Sequence, residues 1–272
     1  MGKFDGILIC TDLDGTLYGS DKTISRENAE AIAYFKREGG AFTFITGRMP
    51  QYSTEAYRAV CPNVPFGCVN GAGLYDGERG EYVFVMTLPD TVKTMLCEVD
   101  RRFPAVGMQV CTPECTYFAK ENDVMAWFRS ITGVPNISRR YEEVTEPIAK
   151  IILATDDAEE LCAVEALLRA HPLAPEFSFT RSERAFFEIL PQGVHKGVAL
   201  AKLCEHLGNL RASVAIGDYH NDIGMFRTAT LGVAVANACP EAKAAADHVT
   251  VSNDEHAIAQ VISDIESGVY AL

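Results

Sequence analysis

Apolar residues follow one rhythm at the two ends of this chain and another in its middle. Near the N-terminus, short unbroken apolar runs alternate with stretches in which apolar positions recur every three or four residues. The run in "FDGILICTD" is too brief for a helix and predicts a buried strand. "SRENAEAIAYFKREGG" predicts a helix with Ser25 as N-cap and Gly39 or Gly40 as its stop. "AFTFITGR", rich in β-branched and aromatic residues, predicts a second strand ending at Thr46-Gly47. "FGCVNGAGLYD" predicts a third, and "YDGERGEY" carries the turn residues of a hairpin.

The same alternation resumes in the last third. "VHKGVALAKLCEHLG" predicts a helix, "SVAIGD" a strand, "NDIGMFRTA" a short helix and "LGVAVANA" a strand. "CPEAKAAADHV" predicts a helix, and "DEHAIAQVISDIES" a last one capped by Asp254. Strand–helix alternation of this kind predicts a mostly parallel sheet covered on both faces. Ligands of such sheets sit beyond the carboxyl ends of the strands, and Asp12, Thr46 and Asp218 each fall at such an end. The middle, with "DTVKTMLCEVDRRF", "VGMQVCT", "IAKIILATD" and "EFSFTRSERAFFEIL", reads as α+β. Its length of roughly a hundred residues suits an independent inserted module. The predicted organisation is thus an α/β, Rossmann-like parallel-sheet core of residues 1–82 and 188–272, interrupted by an α+β unit at 83–187. No internal repeat or low-complexity tract interrupts it.

Composition narrows the function more than the fold. The 272 residues are 48% hydrophobic and 22% charged, ordinary for a globular protein with a large core. No run of 18 uncharged apolar residues exists to span a membrane. The N-terminal apolar stretch, closed by Thr11 and Asp12, is too short for a signal peptide, and a cytoplasmic location is expected. Nine scattered cysteines include no Cys-x-x-Cys pair, and Cys111 and Cys115 lack matching partners for a zinc site, so most of the thiols read as small core residues. A formal charge of −13 disfavours nucleic acid and anionic membranes as partners. An anionic ligand would need a local device.

The strand ends supply one. Asp12 and Asp14 follow the first strand one residue apart, where mutual repulsion is costly unless a positive group sits between them. Asp12 is placed as a carboxylate nucleophile, and Asp14, two residues on, as a proton donor to a leaving oxygen. With Asp218 and Asp222 in "IGDYHND" they form an oxygen-rich nest suited to Mg²⁺. Lys196, at the start of a helix, opposes the helix dipole unless an anion sits there. The Thr46 hydroxyl and Gly47 amide offer neutral donors to a phosphoryl oxygen. Each feature alone has an ordinary reading: an Asx-turn at Asp12 and Asp14, a solvated Lys196, an N-cap at Asp222. Their placement at one edge of one predicted sheet favours phosphoryl-transfer chemistry.

In these residues the chain resembles the haloacid dehalogenase superfamily of phosphohydrolases, specifically its Cof-like subgroup with a large α/β cap. "TDLDGTL" matches the first motif and "FITGR" the second; Lys196 in "VHKGVAL" matches the third and "GDYHNDIGM" the fourth. The resemblance implies that Asp12 attacks phosphorus and that Asp14 protonates the leaving alcohol and then activates water. It implies that Thr46 and Lys196 hold the phosphoryl oxygens. Mg²⁺ would be held by the Asp12 carboxylate, the Asp14 backbone carbonyl and Asp218, supported by Asn221 and Asp222. Asn70 matches a segment lining the cleft. His195 stands where the subgroup usually has Ser or Asp, and "ANACPE" replaces the commoner G-N-A-x-x-E; an exposed imidazole is expected at His195.

The implied activity is Mg²⁺-dependent hydrolysis of a small phosphorylated metabolite such as a sugar phosphate, through an aspartyl-phosphate. The inserted cap would choose the substrate, and no obligate protein partner is implied. A phosphomutase shares all four motifs. A non-catalytic phosphate sensor is the rival of another class, but would have no use for Asp14. Among cap residues, Trp127, Arg139, Arg140, His171 and Arg181 are candidates to face a substrate, each with an alternative as a surface or packing residue.

Overall fold

The sheet expected of the core needs strands from both halves of the chain, and the structure supplies them. The computed structural model describes residues 2–270 and 272. It divides into two units, Met1–Phe84 with His195–Leu272, and Val85–Val194. The first stretch contains β1 (Ile7–Thr11), α1 (Arg26–Arg37), β2 (Ala41–Phe44), α2 (Thr54–Val60), β3 (Phe66–Cys68), β4 (Gly73–Asp76) and β5 (Glu81–Val85). The second unit contains α3 (Val92–Arg102), β6 (Gly107–Cys111), β7 (Thr116–Lys120), α4 (Asp123–Thr132), β8 (Lys150–Ala154), α5 (Ala158–Ala170), β9 (Phe177–Glu183) and β10 (Phe186–Pro191). The chain ends with α6 (Lys196–Leu207), β11 (Ala212–Gly217), α7 (Ile223–Thr228), β12 (Leu231–Ala234), α8 (Pro240–Ala245), β13 (His248–Val249) and α9 (Ala257–Glu266).

In the first unit a five-stranded sheet runs β13-β12-β11-β1-β2, every pairing parallel. β1 lies between β11 and β2 and is buried along its whole length, which is why its sequence is apolar on both faces rather than alternating. Register levels the carboxyl ends: Thr11 is opposite both Phe44 and Ile216, and Gly217 is opposite Ala234. Next to β1, α1 starts where the Ser25 hydroxyl accepts the Asn28 amide at 3.2 Å and stops at Gly39, whose φ is +90°. The buried Asn28 side-chain Oδ1 accepts the Ala259 amide at 3.0 Å, tying α1 to α9.

Three expectations are corrected here. "FGCVNGAGLYD" is not one strand: β3 and β4 pair antiparallel, joined through Val69 (φ 55°) and Asn70 (φ 53°) in the left-handed region. A β-branched residue rarely adopts that conformation, so nothing in the composition announces the break. "CPEAKAAADHV" is helical only to Ala245. Asp247 then exchanges hydrogen bonds with Gly232, accepting its amide on Oδ2 and donating to its carbonyl, both at 2.8 Å, and this draws His248–Val249 onto the sheet edge. Asp254 does not cap α9, whose N-cap is His256; its carboxylate instead accepts the Ser20 amide (2.7 Å) and hydroxyl (2.6 Å).

The second unit is built on an antiparallel sheet ordered β7-β6-β8-β10-β9. One sheet face, with Met108, Val110, Ile151, Leu153, Phe187 and Ile189, forms a single apolar core with α3 and α5. The opposite face carries a buried ion pair, the Lys150 ammonium lying 3.2 Å from each Glu188 oxygen. An end at residue 187 would cut β10, whose Phe186–Pro191 pairs along β8 and β9; the unit continues to Val194 and starts at Val85 rather than 83.

Four of the five residues considered for substrate contact have partners inside this unit. Arg139 lies over the Tyr117 ring at 4.4 Å and donates to Glu146 at 2.8 Å. Arg140 pairs with Glu142, Arg181 with Glu165, and His171 Nδ1 accepts the Leu173 amide. Trp127 is exposed on α4. No helix among the described residues is long and apolar enough to cross a membrane.

Candidate active site

Because the strand ends are level, the residues that follow them share one edge. Asp12 comes directly after β1, its amide donating to the Ile216 carbonyl of β11 at 2.8 Å. Asp218 comes directly after β11. Ile45 donates to the Thr11 carbonyl at 2.9 Å, which puts Thr46 beside the chain leaving β1. Carboxylate oxygens of Asp12, Asp218 and Asp222 all lie within 4.8 Å of one another.

Lys196 enters this cluster from the first residue of α6. Its ammonium donates to Asp12 Oδ1 at 2.5 Å and to Asp222 Oδ1 at 2.6 Å, with the lysine 1% exposed and Asp222 fully buried. The other Asp222 oxygen accepts the amides of Asp218 and Tyr219, both at 3.0 Å. Asp222 thus holds both the lysine and the start of the loop after β11. Asp218 Oδ1 accepts the Thr16 hydroxyl at 3.1 Å. Gly15 makes this approach possible: at φ +82°, a Cβ there would stand 2.6 Å from Asp218 Oδ2.

Electrostatics follow from burial. Desolvation pushes the Asp12 carboxyl up to about 8, against the downward pull of Lys196. Desolvation, then the Asp222 charge, pushes Asp218 up to about 6. Burial would lower Lys196, but Asp12 and Asp222 outweigh it and hold the ammonium above its ordinary range. Three acidic groups converge beside one ammonium, and every donor atom they offer is a hard oxygen, the kind that suits a divalent cation.

Other expected site residues surround the cluster. The Thr46 hydroxyl oxygen accepts the Arg48 amide at 3.3 Å, and the Thr46 carbonyl accepts the Asn70 amide at 3.1 Å. Asn70 lies against Gly47, where a Cβ would stand 2.9 Å from its Oδ1, and the same oxygen accepts Asn221 Nδ2 at 3.4 Å. Asp14 is not drawn into the carboxylate cluster. Its side chain, 43% exposed, accepts Arg48 at 2.8 Å and Lys22 at 3.4 Å.

His195, expected as an exposed loop imidazole, is exposed but also serves as the N-cap of α6, its Nδ1 accepting the Gly197 amide at 3.1 Å. Ser or Asp, the usual residues at that position, are themselves N-cap formers, so the imidazole replaces them in kind. Burial lowers its pKa, which keeps Nδ1 available as an acceptor.

The turn through Val69 and Asn70 also sets the lysine. Gly71 has φ +102°, and a Cβ there would land on the His195 carbonyl oxygen. Gly71→Ala is expected to cost about 1–3 kcal/mol and to lower turnover by displacing the first turn of α6. Urea unfolding and steady-state rates would measure both.

Sequence reasoning passed over Thr16 and Arg48, although both stand inside the quoted motifs "DGT" and "TGR". It also missed Lys22 and Asn237, whose Nδ2 donates to the Gly15 carbonyl at 2.8 Å. Asn237 stands inside the quoted "ANACPE", whereas Lys22 has no motif or periodicity to mark it.

Comparison with known proteins places this geometry among enzymes. The family described as haloacid dehalogenase-like hydrolase matches residues 9–262. The 5-amino-6-(5-phospho-D-ribitylamino)uracil phosphatase YitU of Bacillus subtilis is 26% identical over 264 residues, covering 94% of this chain and 96% of its own. The pyridoxal phosphate phosphatase YbhA of Escherichia coli is 28% identical over 267 residues, covering 94% and 97%. The crystal structure of a haloacid dehalogenase-like hydrolase from Bacteroides thetaiotaomicron superposes with a TM-score of 0.83 at 28% identity, covering 96% of this chain and 99% of that one.

Proposed function

The chain belongs to the haloacid dehalogenase-like hydrolases, and from that premise we propose that it is a Mg²⁺-dependent phosphatase working through an aspartyl-phosphate on Asp12. The observation that carries this reading is the ammonium of Lys196 clamped between Asp12 and the fully buried Asp222, beside Asp218. A structural ion pair would not require a third acid at the same point.

In the proposed reaction the Lys196 ammonium, the Thr46 hydroxyl and the Gly47 amide receive the phosphoryl oxygens of a phosphate monoester. An Asp12 oxygen attacks phosphorus in line as the bond to the leaving oxygen breaks. Asp14 gives its proton to that oxygen, exchanging the Arg48 contact for the substrate. It then takes a proton from the water that attacks the acyl phosphate. The Asp12–phosphorus bond breaks, inorganic phosphate leaves and the carboxylate is restored. Asp12, the Asp14 backbone carbonyl and Asp218 would hold the divalent ion, with Asn221 and Asp222 in support. When bound, the ion supplies charge neutralisation to the transferring group.

The substrate we assign is a small phosphorylated metabolite, with a phosphorylated sugar or sugar alcohol first. Support comes from the phospho-ribityl group in the name of one relative. The substrate-selecting role falls to the Val85–Val194 unit, which contributes no member of the carboxylate cluster.

Exhaustive chelation of the protein is expected to abolish phosphate release from a panel of sugar phosphates, and Mg²⁺ to restore it. Mg²⁺ at 100 times its Kd would also add about 2.7 kcal/mol of stability, read as a rise in thermal midpoint. Full activity after chelation would overturn the metal assignment.

A further inference from the structure

A different set of side chains converges on the loop that follows β11. An imidazole nitrogen of His220, the Cys239 thiol and a Glu241 carboxylate oxygen all lie within 4.8 Å of one another. They come from two places in the chain. His220 belongs to the 3-10 turn after Asp218, Cys239 is the residue before α8, and Glu241 is in its first turn. The backbone fixes this convergence: the Cys239 amide donates to the Asp218 carbonyl at 2.9 Å, and the Cys239 carbonyl accepts the Lys243 amide at 3.1 Å.

None of the three side chains has a hydrogen bond or ion pair with another described residue. His220 has only an edge-on ring contact with Tyr219, at 4.7 Å between centroids. The thiol is half-buried, and the imidazole and carboxylate are exposed. Three groups that can each donate an electron pair are therefore gathered with no internal partner to explain it.

Their chemistry is not that of the carboxylate cluster. Nitrogen, sulfur and oxygen donors together suit a tetrahedral Zn²⁺ ion, whereas Mg²⁺ takes oxygen alone and does not compete for a thiolate. Ligand atoms around zinc, with bonds of about 2.0–2.3 Å, lie roughly 3.3–3.8 Å apart. The three atoms already lie within 4.8 Å of one another, so closing onto an ion would bring them about 1 Å nearer together.

We propose that His220, Cys239 and Glu241 form a second metal site, selective for a thiophilic divalent cation of the zinc class, with water in the fourth position. Occupancy ties the start of α8 to the turn that carries Asp218 and Asp222. The site does not rest on the phosphatase reading, since its ligands lie outside the residues proposed for catalysis.

The test uses the full chain with Mg²⁺ held saturating. Titration of Zn²⁺ against a chromogenic chelator is expected to show one tightly held Zn²⁺ per chain. Co²⁺ in its place is expected to give a thiolate-to-metal charge-transfer band in the near ultraviolet. Cys239→Ser should abolish the band, and both Cys239→Ser and His220→Ala should weaken Zn²⁺ binding by roughly tenfold or more. Mg²⁺-dependent phosphate release by zinc-free Cys239→Ser should match the parent. Asp12→Asn should keep the zinc and the band. Three results would overturn the proposal: no band in the parent protein, a band that survives Cys239→Ser, or zinc lost from Asp12→Asn but kept by Cys239→Ser. The last would move the ion to the carboxylate cluster while leaving the phosphatase reading standing.

Discussion

Asp12→Asn is expected to lower kcat by about four orders of magnitude or more, the scale on which removal of a covalent nucleophile acts. The amide is isosteric with the carboxylate, so Lys196 keeps a neutral acceptor on one side and Asp222 on the other, and the fold should survive. What disappears is the oxygen that bonds to phosphorus. Acid quenching during turnover of a labelled monoester should leave the label on the parent chain, in the peptide that contains Asp12, and none on the variant. Asp14→Asn provides the contrast. With an aryl phosphate, whose leaving group needs no proton, it should still become labelled but release phosphate about 10²–10⁴-fold more slowly, the usual worth of a general base. A parent enzyme that hydrolyses its substrate without ever carrying label would remove the covalent intermediate from the mechanism.

Lys196→Met is expected to have the largest effect on stability. The methionine stem fills much the same volume, yet Asp12 and Asp222 lose the ammonium at 2.5 and 2.6 Å that offsets their burial. Removing one partner of a buried ionic cluster typically costs about 3–5 kcal/mol, because the charges left behind have neither water nor a counter-ion. The denaturant midpoint in chelated buffer should fall accordingly, and turnover should be lost. Lys22→Met is the control. Its ammonium is 71% exposed and lies 3.4 Å from Asp14, and such surface pairs contribute roughly 0–1 kcal/mol. Equal midpoints for the two variants would mean that the Lys196 cluster is hydrated and inexpensive to break.

The parallel sheet and the convergence of its strand ends were legible because both depend on short-range signals. A strand buried between two others must be apolar on both faces, as Ile7–Cys10 is, and Asp12 and Asp218 are written into the residues that immediately follow such strands. What could not be read depends on partners distant in sequence. Val69 occupies a left-handed conformation that its own side chain disfavours, held by the Asn70–Thr46 and Val69–Arg48 backbone bonds. His248–Val249 becomes a strand only through Asp247 and Gly232. Asp254 has the composition of a helix cap, yet Ser20 claims it. Asp14 shows the same limit at the site itself: the motif puts it two residues after Asp12, but Arg48 and Lys22 decide where its carboxylate rests.

The position of β1 between β2 and β11 bears on how the chain is made. Its neighbour β11 is encoded roughly 200 residues later, Ile7 pairing with Ala212. At ribosomal speeds of about 5–20 residues per second, the nascent strand waits roughly 10–40 s for that partner. Throughout the delay one greasy edge stays open while the whole Val85–Val194 unit is being extruded. Chaperone engagement during translation, rather than spontaneous collapse of the first segment, is the consequence to look for in living cells.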